Sequence, residues 1–494
     1  MINKSKIKMR LKKIPNNSQT TKIIMLKKMS RKIARLLVIT IFAFANHNLL
    51  AQQSLTLDDA IKIGVKNNSD LKQARLDIKK AEATVSEVFG NALPTLDFSA
   101  NFAHAIKKQI VPIDFEAMLA TAVYGVLFHE NLLEYDQSKF PTGSNFTSMQ
   151  LDNTFQAQLQ LTQILFNSAV FTGIGISKDY LQVSKAQHNA KVADVVMNIK
   201  NAFYAVLYTK EMLNIINVSF ENAQANLNNV TALSNQGMVS EFTLLDAQVR
   251  VENIKPTIRQ LENAVVSATD GLKILLNIPQ TESVEVVGNI AYTEENLQDA
   301  NRFINQARNN NLNISTLEKA ITLTKATVDV SRSDYYPTIA AFANYGYNAM
   351  SNTFSNWNSY PTSMIGLSFS MNLFRGLQTK YQVQQSKIEV IKAEEQIAFL
   401  KDAVAMQVRT NVNELIRIKA DIEAQQRNVN IAERAYYLAT VRFREGTGNQ
   451  LEILNSDVAL RQAKTNLLES EYNYVISKSR LDNLLGTISN DWLQ

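Results

Sequence analysis

The sequence predicts a mainly α protein that also carries membrane-type β-strands and is built from two copies of one unit. Three observations carry that prediction. Leu377 to Arg444 gives 68 residues without Gly or Pro, and Ile176 to Gln236 gives a matching 61. As one α-helix the longer stretch would reach roughly 100 Å, at about 1.5 Å per residue. Three shorter segments alternate apolar and polar residues with period two, and a fourth, 338–349, alternates less cleanly; this is the pattern of a strand with one face in an apolar medium. Lastly, Asn67-Asn68-Ser69-Asp70-Leu71 recurs as Asn310-Asn311-Leu312-Asn313-Ile314, and Pro94-Thr95 as Pro337-Thr338, both 243 residues on. Leu165-Phe166 recurs as Leu373-Phe374 at 208, and Gly237 as Gly446 and Leu244-Leu245-Asp246 as Ile453-Leu454-Asn455 at 209. So long a period marks a duplicated domain rather than a solenoid of short units.

Taken in order, residues 1–51 read as a leader. They hold 12 Lys/Arg and no Asp/Glu, with Lys27, Lys28, Arg31, Lys32 and Arg35 ahead of the apolar run Leu36 to Ala45. That order is a secretory signal peptide, and a basic N-terminal arm is the alternative. Removing it leaves 39 basic against 45 acidic residues, so the net charge of the rest is negative and no nucleic-acid partner is expected. The first unit, 52–279, is expected to hold strands at about 94–104 and 154–166, a long helix at about 168–236 and a return helix at about 240–277. The second unit, 280–494, repeats this with strands at about 337–349 and 363–374, a helix at about 377–445 and a return helix at about 450–485. Leu96, Phe98, Ala100 and Phe102 form one face of the first strand, and Ile365, Leu367, Phe369, Met371 and Leu373 one face of the last. The opposite faces are rich in Gln, Asn and Ser, which suits a water-filled lumen better than a soluble sheet. The drop in repeat offset from 243 to 208 places a longer loop at 104–154, with Asp114, Glu116, Glu130, Glu134 and Asp136, against a shorter one near 348–362. Pro256, inside the first return helix, predicts a break or kink near Lys255, because proline removes a donor and clashes with the preceding turn. Thr465 stands at the matching place in the second unit.

The order of ascending helix, Pro-Thr strand, strand ending Leu-Phe, long descending helix, Gly turn and ascending helix, all repeated, resembles the TolC-type outer membrane efflux proteins of Gram-negative bacteria. The residues that carry the resemblance are LTLDDAIKIGVKNN at 55–68, LPTLDFSANF at 93–102, LFRG at 373–376 and REGTGNQLEIL at 444–454, within a match covering nearly all of 54–486. The resemblance implies a homotrimer whose protomers each give four strands to a 12-stranded barrel in outer membrane lipid, continuous with an α-helical tunnel through the periplasm. It also implies two partners, a periplasmic adaptor and an inner-membrane transporter, which supply energy and substrate choice to a passive export duct. The residues alone require oligomerisation if the strands are in lipid, since bacterial single-chain barrels begin at about 8 strands and open edges are not tolerated there. They leave a dimer of 8 strands open.

The resemblance further implies that the turns at Gly237-Met238 and Gly446-Thr447 are the adaptor-contacting tips, and that the helix–strand junctions fall at Pro94 and Pro337. Glu452 matches the first acidic position of the periplasmic gate, Asn455 replaces the second acid, and Phe443 stands where a tyrosine is common. Glu452 also fits a capping box three residues after Asn449. A periplasmic coiled-coil adaptor or structural envelope protein is the second reading, but one with two hairpins and amphipathic strand pairs would be unusual. Enzyme chemistry has no support in the sequence and no cofactor is expected. The chain has no Cys and 4 His (His47, His104, His129, His188) without metal-ligand spacing. Gly173-x-Gly175 lacks the rest of a dinucleotide fingerprint, and Asp58-Asp59 reads as first-turn helix charge.

Overall fold

The computed structural model describes residues 53–110, 115–140, 148, 150–290, 292, 297, 299–487 and 492. The expected leader and Asp114 lie outside them. A short strand, β1 (Gln53–Leu55), leads into α1 (Leu57–Asn67) and α2 (Ser69–Gly90), then β2 (Thr95–His104). Asp58 and Asp59 lie in the first turn of α1, which Thr56 caps. The segment between β2 and β3 (Asn153–Asn167) contains a helix, α3 (Phe115–His129). Two long helices follow, α4 (Ser168–Asn235) and α5 (Glu241–Leu276), and then β4 (Val284–Val286), which pairs in parallel with β1. The remaining elements are α6 (Ala300–Asn310), α7 (Leu312–Arg332), β5 (Thr338–Ser351), β6 (Asn358–Ser370), α8 (Gln378–Arg444) and α9 (Gln450–Leu484).

The four longer strands form one antiparallel sheet in the order β2-β3-β5-β6. Its register sorts the side chains into two faces. Leu96, Leu161, Ala343 and Ile365 lie in one row across the strands, and Phe98, Leu159 and Tyr345 in another on the same side. Asp97, Gln160 and Asn344, with Asn101, Gln156 and Asn348, line the other side. The apolar face is bare in one chain, with Phe98 70% and Ile365 84% exposed. β6 starts before the expected position 363 and includes Pro361, opposite Tyr347, a residue found mainly in strands at the edge of a sheet, where β6 lies in the single chain. It also ends at Ser370, so Met371 and Leu373 fall outside the strand where the alternation had placed them. Ser370 pairs with Thr338, Pro337 just before it offers no donor, and Gly376 and Leu377 then turn the chain through left-handed backbone.

Away from the sheet the long helices form two antiparallel hairpins, α4 with α5 and α8 with α9. In addition α9 packs against α4, so it lies between both descending helices. Two apolar clusters fix this arrangement near the middle of the molecule. In the first, Ile61, Leu71, Val196, Ile199, Phe203, Leu272 and Leu276 meet. In the second, Ile304, Ile314, Val408, Val412, Leu415, Leu481 and Leu485 do the same. A set of buried side chains of this size is a large apolar stabilisation, at about 25 cal/mol per Å² removed from water. Of the break or kink expected near Lys255, no break occurs: α5 is helical without interruption from Glu241 to Leu276. Proline costs this helix one backbone donor, toward Glu252, and the packing of α5 along α4 outweighs that local loss.

Candidate functional site: the helical tips

Each hairpin turns on a glycine with left-handed backbone, φ +71° at Gly237 and +74° at Gly446. Such a residue lets the amides after the helix close on its last carbonyls. Gly237 N donates to Ser234 O at 2.9 Å and Met238 N to Leu233 O at 3.0 Å. In the second tip Gly446 N donates to Phe443 O at 3.1 Å, while Thr447 N and Gly448 N both donate to Arg442 O, at 2.9 and 3.0 Å. A side chain on Gly448 would press on Arg442 Cβ and Phe443 N, each 3.0 Å away, so this turn is tight. The ascending helices start from matching caps. Ser240 Oγ accepts from Thr243 N at 3.3 Å, and Asn449 Oδ1 from Glu452 N at 2.9 Å.

Glu452 therefore sits at the capped start of α9, but its carboxylate is used across the turn: Oε2 lies 3.2 Å from Arg442 Nη1. Arg442 also donates to Thr447 O at 3.3 Å. The carboxylate at this tip thus carries a neutralising guanidinium from its own chain. Asn455 is exposed and, three residues after Glu452, shares its face of α9. Phe443 is half-buried on the descending side of the same turn. Met238 and Thr447 are exposed at the two tips. Phe242, Leu245 and Val249 extend the apolar surface of the first tip up α5. Pro94 and Pro337 directly precede β2 and β5, far from the tips in the chain order, and Arg375 Nη1 binds Asp334 Oδ2 at 2.9 Å beside the second junction.

Above the tips the two hairpins are joined through one carboxylate. Asp457 Oδ2 accepts from Ser219 Oγ at 2.8 Å, and Asn222 Nδ2 reaches Oδ1 at 3.5 Å. These groups border a cavity of about 410 Å³ with Asp246, Arg250, Tyr436 and Arg461. Burial, and then the Asp457 carboxylate, hold the Tyr436 phenol above its usual range. Sequence reasoning passed over Arg442, Ser219 and Asp457. For Arg442 a signal existed: it and Glu452 stand equally far from Thr447, so a hairpin turning there brings them face to face. For Ser219 and Asp457 there was none, because their meeting depends on how α9 packs on α4.

A family model described as outer membrane efflux protein matches residues 303–487. Among curated relatives, outer membrane protein TolC of Salmonella enteritidis is 22% identical over 346 residues, covering 68% of this chain and 70% of the relative. The alkaline protease secretion protein AprF of Pseudomonas aeruginosa is 20% identical over 389 residues, 76% of this chain and 79% of its own. In fold, the chain is similar to the crystal structure of the Campylobacter jejuni CmeC outer membrane channel. The two superpose with a TM-score of 0.68 at 17% identity, over 87% of this chain and 85% of that one.

Proposed function

We infer that this chain, a TolC-like protein of the outer membrane, is the channel of an efflux or secretion system and that three copies close into one passive duct. The observation that carries the reading is the four-stranded sheet. It has an apolar face, a polar face and two open edges, β2 and β6. Open edges are not stable in lipid, so β2 of one copy must pair with β6 of the next. Three copies of four strands give the 12-stranded barrel, with Gln, Asn and Ser toward water. The helices have the same need. Phe242, Leu245, Val249 and Val266 on α5 and Phe399, Met406 and Ile431 on α8 are exposed. Heterologous contact between these two flanks would close a ring, as α9 already does against α4.

In this reading residues 52–279 and 280–494 are two copies of one unit, the leader directs export across the inner membrane, and the hairpins form the periplasmic tunnel. Gly237, Met238, Gly446 and Thr447 meet a periplasmic adaptor, an inner-membrane transporter supplies energy, and Glu452, Asn455 and Phe443 border the constriction. Pro94 and Pro337 mark where tunnel becomes barrel. No helix among the described residues is long and apolar enough to cross a membrane. The adaptor reading is not favoured, since the likeness to outer membrane channels spans both hairpins and the sheet. Native mass spectrometry of the chain extracted from outer membranes tests the assembly. Three copies are expected, and a dimer or monomer would overturn it.

A further inference from the structure

We propose that the three copies of α3 pack on one another at the mouth of the barrel and form a shared apolar cap. This rests on the trimeric reading above. Residues 117–128, AMLATAVYGVLF, hold no charged side chain. Along one face Leu119 is 58% and Val126 62% exposed, with exposed Val123 between them, and Met118 and Phe128 are exposed on other sides of the same helix. Leu132, Leu133 and Tyr135 in the following segment extend the patch. The helix is not a loose strand of loop. Tyr124 donates its hydroxyl hydrogen to Glu134 O at 2.8 Å and accepts from Asp136 N at 2.8 Å. Its ring meets Phe140 edge-on at 4.7 Å, and Phe128 meets Tyr135 at 5.1 Å. One flank is therefore covered by the chain's own return, and the rest is apolar surface without a cover among the described residues.

A helix apolar all round belongs inside protein or across a membrane. With 15 residues α3 is shorter than the roughly 20 needed to span. A helix lying flat on lipid keeps a strongly polar face, usually with Lys or Arg, and 117–128 offers none. Other copies of the same helix fit better. The segment that carries α3 begins at the end of β2, the edge at which the next copy's β6 is placed, so every seam brings one α3 beside the neighbouring copy. Its two ends are tied to the β5–β6 connection. Lys108 Nζ lies 3.1 Å from Asp152 Oδ1 and donates to Asn352 Oδ1 at 3.1 Å, and Asp152 N donates to the same Asn352 oxygen at 3.2 Å. These bonds anchor both ends of the segment at one end of the sheet. Around a three-fold axis, an uncharged apolar surface held there is complementary to its own copies.

The sequence has no cysteine, so single thiols report without background. Leu119→Cys and Val126→Cys, each purified in lipid nanodiscs and checked for three copies by native mass spectrometry, are treated with a short bismaleimide and run on a denaturing gel. The proposal predicts that at least one variant shifts most of the chain from the monomer to the dimer band, since one thiol per copy links two of three. An intact trimer that stays unlinked at both positions overturns the cap while leaving the channel reading standing. In that case labelling by a water-soluble maleimide marks α3 as open to another partner, and quenching by nitroxide lipid places it on the bilayer. Loss of the trimer in the unsubstituted protein would instead sink the reading on which the cap rests.

Discussion

Gly64 in α1 packs against Ile199 of α4 in the first apolar cluster, and the residues 243 and 209 positions on, Ala307 in α6 and Val408 in α8, both belong to the second. In the first half a side chain on Gly64 would overlap Ile199 Cδ1. In the second half the smaller Val408 accompanies the larger Ala307. The halves thus differ by a methyl group moved from one helix to the other, which teaches that the site conserves filled volume rather than residue identity. A second matched pair differs more. Asn68 and Asn311, both buried, cap α2 and α7 and donate through Nδ2 to Leu275 O at 2.8 Å and Leu484 O at 2.9 Å. The helix that receives this clasp ends on Asn277 in one half and Gly486 in the other, both left-handed at φ 55° and 69°. Asn277 donates to Asn67 O at 3.3 Å, whereas any side chain on Gly486 would strike the Asn310 carbonyl.

Breaking the second pair should have the largest effect. Gly486→Ala combines a left-handed alanine with a backbone collision, and we expect a loss of about 3 kcal/mol or more. Asn277→Gly should stay within about 1 kcal/mol of the parent. Thermal midpoints of the purified proteins check both, and equal effects would mean the two helix ends are not packed differently. Gly64→Ala comes next. The better helix former returns about 0.5–1 kcal/mol and the overlap costs about 1–3, so a net loss of about 1–2 kcal/mol is expected. Adding Ile199→Val, which by itself removes one methylene, should restore the midpoint by recreating the second half's packing. A double variant as unstable as Gly64→Ala would refute the volume account.

At the tips the contrast is one of charge. The positions matching Arg442 and Glu452 are Leu233 and Thr243, so only the second hairpin carries the ion pair. The pair is partly exposed and worth about 0–1 kcal/mol in stability, but at a constriction it sets the local field. Arg442→Gln should raise cation selectivity and Glu452→Gln should lower it, most clearly at low salt where screening is weak. Selectivity that ignores both changes in an intact trimer would remove Glu452 from the gate and leave it a helix-start residue.

The smallest effect concerns Glu471 and its counterpart Glu262, 209 residues earlier. Burial, and then the nearby Glu211 carboxylate, push the Glu471 carboxyl up, while Glu262 is exposed. An acid whose folded pKa is raised opposes folding when ionised. That penalty is absent below the unfolded pKa and complete above the folded one. Glu471→Gln should therefore raise the midpoint slightly at about pH 7 and give no gain at about pH 4, and Glu262→Gln should change neither. A gain from Glu471→Gln that persists at the lower pH would point to packing, not charge.

Much of this architecture was legible because period is a local property. The 67 residues of α8 and the alternation of β2 and β3 follow from runs of side chains that need no partner to be recognised. What failed depended on context. Pro256 signals a break or kink because its local cost is visible in the sequence, whereas the long contact with α4, along which the helix runs unbroken, is not. Pro361 hides the start of β6, since a proline, lacking the N–H of the ladder, reads in the sequence as the end of a strand. In the segment from 104 to 154 the scattered acids drew attention away from the uncharged run that becomes α3. At the candidate site the turn glycines were readable, but the ion pair of Arg442 with Glu452 and the bond of Ser219 to Asp457 arise from packing between helices.

The central claim is that this chain forms a conducting duct whose narrow end lies at the tips of the hairpins. Planar-bilayer recording of the purified trimer tests it most directly. The account predicts discrete, voltage-tolerant steps of small conductance, which rise when the hairpins are loosened by Ser219→Ala together with Arg442→Gln. A trimer of confirmed mass that inserts but never conducts, or whose conductance ignores both substitutions, would contradict it.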